Sequence, residues 1–256
     1  MTPMYQADWL GIQFRDIAPV SATTRADGTF YNAFYEKFFA RYQHWDELGA
    51  EWLRCKQAVA TMIRGLMLED GRPPRSVLSV GCGNGCIEHF LLEANPSLAL
   101  DVVDVSEQAL RWIRHELDPR HLFVGTFPEC LPSDRTYDLI FVNAFDYSLT
   151  TKEFVAFIRE ARSRLAAGGA LLVISMSLET PSDVLRRVAR HTRAAFVRVI
   201  DTFGMNRAWQ FWGWYRSEAD YLASMRAGGF SALTYGVVPG GDVGGKPSFY
   251  ILGWRR

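Results

Sequence analysis

The chain lacks any surplus of charge. Its 256 residues carry 28 Lys and Arg against 28 Asp and Glu, so the formal net charge is zero. Bulk charge therefore gives no reason to expect a nucleic-acid partner. No run of 18 apolar residues occurs, so no membrane span is expected. The opening MTPMYQADWLGIQFRD has no basic stretch leading into an apolar one, unlike an export leader. Cysteine is scarce: residues 55, 82, 86 and 130 do not make a disulfide framework in a chain this long. Cys82 and Cys86 have no second ligand pair, so structural thiols are expected rather than a metal site. Repeats and low-complexity stretches are missing too. A reducing, cytoplasmic setting is the expectation, for one large domain or a domain with a lid.

What is present centres on Ser76–Gly85, SVLSVGCGNG. The apolar Val77-Leu78-Ser79-Val80 fits a strand buried on both faces, as in a parallel sheet. It runs into glycines at 81, 83 and 85, after which Cys86, Ile87, Phe90 and Leu91 fall at helical spacing. Glycine there lets the backbone turn sharply and lets a ligand approach where a Cβ would clash. The helix start beyond presents unpaired N–H groups to a carboxylate or phosphate. A plain connector would look similar.

Before this stretch, residues 1–28 give weak signals and 30–68 read as two helices. Phe30, Phe34, Phe38 and Tyr42 recur every four residues, with Tyr31 and Tyr35 beside them. Trp52, Val59, Ile63 and Met67 continue the pattern. Glu69-Asp70-Gly71-Arg72-Pro73-Pro74 ends the second helix. Beyond residue 76, strands at Leu98–Val103, Leu122–Gly125, Asp138–Val142, Ala170–Ser175, 231–237 and 248–254 alternate with helices. The helices include one capped by Ser106, one over 152–165, one from Ser182 and one over 217–227. The alternation predicts an α/β fold with a doubly wound, mostly parallel seven-stranded sheet. The glycine-rich loop 239–245 suits a hairpin that makes the last strand antiparallel. Residues 1–72 would form an N-terminal helical cap or lid. Residues 73–256 would form the sheet domain, with a helical, aromatic-rich insertion at about 178–216.

G-x-G-x-G after a strand differs from the dinucleotide pattern G-x-G-x-x-G, whose third glycine would fall at Cys86. It resembles motif I of the class I S-adenosylmethionine-dependent methyltransferases. LDVVDVS, YDLIFVNA, RLAAGGALLVIS and MRAGGFSAL resemble that family's later motifs in the same order, over roughly 76–255. Two positions depart from it. Ser79 stands where the family has an acid before the first glycine, and Thr126 where it has one after the third strand.

The resemblance implies S-adenosylmethionine as cofactor, over the carboxyl ends of the strands. Gly81, Gly83 and Gly85 would receive the methionine carboxylate, and Asp104 the ribose diol. Val105 and Phe127 would flank the adenine, Thr126 would reach its edge, and Asn143 would border the site. Asp146, or His44 on the cap, would serve as base if the acceptor needed one. Plainer roles exist for both, Asp146 as a turn acid before Thr150. Tyr31, Tyr35, Tyr147, Trp212 and Trp214 would line the acceptor, an aromatic or anionic small molecule. Trp212 and Trp214 belong to Ala208–Arg216, AWQFWGWYR, which could equally pack as core. Arg186, Arg190 and Arg193 form a basic helix face, either an attractant for an anion or simply solvated. O- or N-methylation of a small molecule is the expected activity. A catalytically silent cofactor-binding subunit and a nicotinamide-dependent oxidoreductase are the alternatives.

Overall fold

The computed structural model describes residues 1–17, 19–68, 76–179 and 184–256. The N-terminal part holds β1 (Thr2–Gln6), β2 (Asp8–Trp9), β3 (Ile12–Gln13), α1 (Gly28–Arg41) and α2 (Ala50–Leu68). Then come β4 (Val77–Val80), α3 (Cys86–Ala94), β5 (Leu100–Asp104), β6 (Leu122–Val124), β7 (Tyr137–Asn143), α4 (Thr151–Ser163) and β8 (Leu165–Ser175). The chain closes with β9 (Leu178–Glu179), α5 (Val184–Thr202), β10 (Gln210–Ser217), α6 (Glu218–Ala227), β11 (Leu233–Val243) and β12 (Lys246–Trp254).

The main sheet has seven strands in the order β11-β12-β8-β7-β4-β5-β6. β4, buried at all four positions, pairs in parallel with β5 and β7, and those pair in parallel with β6 and β8. β12 inserts antiparallel between β8 and β11. This is the expected doubly wound sheet, and strand order reverses between β4 and β7. Each face carries its own core. Val59 and Ile63 of α2 and Leu91 of α3 cover one side. Phe154 and Ile158 of α4, with Tyr221 and Met225 of α6, cover the other. Capping boxes at Thr150/Glu153 and Ser217/Asp220 start α4 and α6, where the sequence expects helices.

Two expectations are corrected. α2 flanks the sheet rather than joining the lid, because Val59, Ala60 and Ile63 bury against Val77 and Leu172. The segment after Ser106 is two 3-10 turns, Gln108–Arg111 and Ile113–His115, although Leu110 and Ile113 do face the core as expected. Within the insertion α5 is helical, and the aromatic stretch after it is a strand: β10 pairs antiparallel with β1 and parallel with β9 in a second sheet, β1-β10-β9. The chain's weakly signalled start thus joins the insertion to make the cap. The helix end at Glu69–Pro74 and the helix start at Ser182 lie outside the described residues.

Under the cap, Phe14, Phe30, Phe34, Phe38, Trp45 and Trp212 form an aromatic core. α1 begins where the Asp27 carboxylate accepts from Phe30 N at 3.0 Å. Its Phe30/Phe34/Phe38 stripe is core, as four-residue spacing dictates.

Candidate functional site

Sheet register assembles the site. Val80 stands opposite Val103 on one side and Val142 on the other. One residue further on, Gly81, Asp104 and Asn143 therefore leave the sheet side by side, where β-strand order reverses. Gly81, Gly83 and Gly85 have φ of 71°, 61° and 73°, left-handed values that L side chains adopt only with strain. The loop is also crowded: a Cβ on Gly83 would lie 2.9 Å from the Tyr35 hydroxyl. Gly83 N donates to Asp104 Oδ2 and Ser106 N to Oδ1, both at 2.9 Å. Burial raises the Asp104 carboxyl to about 6, against the pull of those amide bonds.

Behind the loop lies a carboxylate absent from the motif as read. The Ser79 hydroxyl donates to Glu88 Oε1 at 2.5 Å. Glu88 is buried, and its Oε2 has no hydrogen-bond partner. Burial pushes its carboxyl up to about 7, opposed by the Ser79 bond and by nearby Lys56. Asn84, in the loop itself, accepts from Cys86 N through Oδ1 at 3.4 Å, while its buried Nδ2 is unpartnered. A buried polar atom without a partner costs about 1–3 kcal/mol. One such donor, Asn84 Nδ2, lies in the loop, and one such acceptor, Glu88 Oε2, on the first turn of α3 behind it.

The aromatic candidates divide. Burial holds the Tyr31 and Tyr35 hydroxyls protonated, and the Asp104 carboxylate acts the same way on both. Tyr147 stacks on Trp212, with centroids 6.1 Å apart and planes 22° apart, and Tyr31 meets the same indole edge-on at 5.8 Å. Trp214 is not with them. Met4 pairs with Gly213 but Tyr5 with Phe211, so Trp212 is the extra residue of a β-bulge. The bulge sends Trp212 into the cap core and leaves Trp214 on the other side, against Phe211 and near Arg25. Gly213 allows it, because a Cβ there would meet the Tyr147 carbonyl oxygen at 2.1 Å.

Along the rim, Val105 is 43% exposed and Thr126 is exposed. Phe127 is half-buried, edge-on to Phe157 at 5.3 Å, and Asn143 is half-buried. The two candidate bases are elsewhere. Asp146 is fully buried in a cluster behind β8, accepting from Ser175 Oγ at 3.0 Å and Tyr221 Oη at 2.5 Å. Arg216, equally buried, lies 4.0 Å from that carboxylate and donates to the Asp146 carbonyl at 2.7 Å. Asp146 thus opens the 3-10 turn Asp146–Ser148 as a buried counter-charge to Arg216, and its Oδ1 has no hydrogen-bond partner. His44 is exposed and bonded to Asp46 at 2.9 Å. It lines a separate cavity of about 340 Å³ with Phe39, Arg111 and Trp112. Glu88 and Asn84 were missed. An acid three residues past the last glycine, beside a serine in the acid's usual place, was the available signal.

A seven-stranded doubly wound sheet with β12 antiparallel, a glycine loop after its central strand and an acid ending the next define a class I methyltransferase fold. The model of the methyltransferase small domain matches residues 59–197, more than half of the chain, and the protein belongs to that S-adenosylmethionine-dependent family. A malonyl-[acyl-carrier protein] O-methyltransferase from Halalkalibacterium halodurans is 32% identical over 42% of this chain and 41% of its own. A ribosomal RNA small subunit methyltransferase C from Psychromonas ingrahamii is 29% identical over 39% of this chain and 30% of its own. The matched region thus spans less than half of either relative, and their names differ in acceptor. In fold, the chain is similar to magnesium protoporphyrin IX methyltransferase from Synechocystis, solved with bound S-adenosylhomocysteine. The TM-score is 0.61, with 18% identity over 90% of this chain and 98% of the other. Among the described residues, no helix is long and apolar enough to cross a membrane.

Proposed function

We propose that this chain binds S-adenosylmethionine over the ends of β4, β5 and β7 and transfers its methyl group to a small-molecule oxygen or nitrogen. The observation that carries this reading is the unpartnered pair at the glycine loop, Asn84 Nδ2 and Glu88 Oε2. An α-amino acid terminus has a carboxylate to accept from the first and an ammonium to donate to the second. Glu88 would thereby supply the acid that Ser79 does not. Asp104 keeps lone pairs beyond the two amides it already accepts from, enough for a ribose diol.

When bound, the cofactor supplies an electrophilic sulfonium methyl. The chain's part is orientation, an effect that reaches about 7–11 kcal/mol in well-aligned reactions. The rings of Tyr31, Tyr35 and Tyr147 stay neutral by burial, and their faces suit a cation. With Asp146 committed to Arg216 and His44 exposed on the cap, the reading favours an acceptor that is nucleophilic without a protein base. Balanced charge and an aromatic cap favour a small molecule over nucleic acid. The glycine spacing argues against a nicotinamide cofactor, and the Glu88 carboxylate against a silent subunit.

Calorimetry with S-adenosylhomocysteine and with NADH tests this. The first should bind and the second should not. Asp104→Ala should weaken S-adenosylhomocysteine by about 2–3 kcal/mol, the loss of a charged acceptor. Binding of NADH alone, or an unchanged affinity in the folded variant, would end the reading.

A further inference from the structure

The cavity beside His44 has no part in the methyl transfer proposed above. It holds about 340 Å³, near the lower end of the ~300–1,000 Å³ usual for small-molecule sites. Its apolar lining is Phe39, Trp45 and Trp112, all buried. The Trp112 ring meets Trp45 at 5.1 Å and 65°, and Phe39 at 5.0 Å and 67°. Rings set at such angles suit a flat apolar partner. Trp45 Nε1 donates to the Asn84 carbonyl at 3.1 Å, which ties this wall to the glycine loop. Neither a loop glycine nor Asp104 lines the cavity itself.

The polar lining divides into groups already engaged and groups that are not. Gln43 Nε2 donates to the Phe39 carbonyl at 3.0 Å, His44 bonds Asp46 at 2.9 Å, and Glu116 bonds His89 at 2.7 Å. Arg111 and His115 are left. Among the described residues neither side chain has a hydrogen bond or an ion pair, and the Arg111 guanidinium lies only over the Phe39 ring, at 5.5 Å. Arg114, by contrast, pairs with Glu107 at 3.6 Å and lies outside the lining. A guanidinium fork without a carboxylate, at the edge of aromatic walls, matches a planar carboxylate with two parallel hydrogen bonds. Glu116 on the same cavity disfavours a second negative charge. The lining therefore selects an aromatic ring that carries one carboxylate.

We propose that this cavity is a second ligand site, taking a flat aromatic monocarboxylate. Phe39, Trp45 and Trp112 pack its ring, and Arg111 with His115 holds its carboxylate. The inference is independent of the methyl-transfer reading. Calorimetry at pH 8 with naphthalene-2-carboxylate tests it, with naphthalene-2-methanol as the uncharged counterpart. The carboxylate should bind with a Kd of about 1 mM or tighter, and at least about tenfold more tightly than the alcohol. Arg111→Gln should weaken it by about tenfold or more, whereas Arg114→Gln should leave it unchanged. Both arginines are exposed, so circular dichroism of the two variants should stay native. Saturating S-adenosylhomocysteine should leave the carboxylate bound, and Asp104→Ala should bind it as the parent does. No binding, equal binding of acid and alcohol, an unaffected Arg111→Gln or equal losses in the two arginine variants would overturn the inference. So would displacement by S-adenosylhomocysteine, since the compound would then occupy the cofactor site.

Discussion

Replacing Glu88 by Gln separates what this side chain does for folding from what it does for the ligand. A glutamate that titrates near 4.5 when unfolded and at about 7 when folded binds its proton more tightly in the native chain. Its contribution to stability is therefore complete below about pH 4.5 and is lost as pH rises to about 7. At about 1.4 kcal/mol per pH unit, the ionised carboxylate costs the folded protein about 3 kcal/mol at pH 8 and under about 1 kcal/mol at pH 5. Glutamine stays neutral at both. Its unpartnered amide has a cost of its own, but a pH-independent one. Asp104, which titrates nearby at about 6, is present in both proteins, and its repulsion of Glu88 is already part of the raised Glu88 value. Thermal unfolding should therefore show Glu88→Gln gaining about 2 kcal/mol on the parent between pH 5 and pH 8, or about 4–8 °C in Tm. Calorimetry at pH 8 should show the opposite for function. S-adenosylhomocysteine should bind the variant at least about tenfold more weakly, the loss of one charged hydrogen bond. Stability curves that run parallel for the two proteins would refute the buried, high-titrating glutamate. A pH-dependent gain with unchanged affinity would refute its role towards the ligand.

Other consequences are smaller in scope. Gly83→Ala should weaken S-adenosylhomocysteine clearly, because its Cβ meets the Tyr35 hydroxyl at 2.9 Å with φ at 61°; Tyr35→Phe in the same chain should recover part of the loss in the same titration. Arg216→Met should cost about 3–5 kcal/mol in urea unfolding at pH 8, because Asp146 loses its buried counter-charge; Asp146→Asn added to it should return part of that. Trp212→Ala should destabilise by about 3–5 kcal/mol and Trp214→Ala by much less, because only the first ring stands in the cap core; equal losses would contradict the bulge.

The sheet was legible because its signals are local. Short apolar runs between glycine-rich turns, alternating with three- and four-residue spacing, admit few arrangements besides a parallel α/β sheet. Position along the chain placed the Gly81–Gly85 loop and Asp104 at strand ends, and parallel register did bring them side by side. Spacing could not say which layer a helix joins. α1 and α2 carry similar stripes, yet one closes over the strand ends and the other flanks the sheet. Nor could it reveal the bulge that parts Trp212 from Trp214, since that depends on β1 pairing across about 200 residues. The same limit misplaced Asp146. Its neighbours Ser175, Arg216 and Tyr221 come from β8, β10 and α6, and only their convergence turns a loop acid into a buried counter-ion. Glu88 shows the reverse. Its one signal was the acid just past the last glycine with Ser79 in the acid's usual place, and it gained meaning only when the fold set it against Ser79 and left one oxygen without a partner. Local periodicity determined the strands and the loop between them. Burial and charge pairing, which depend on residues distant in sequence, decided which side chains face the site.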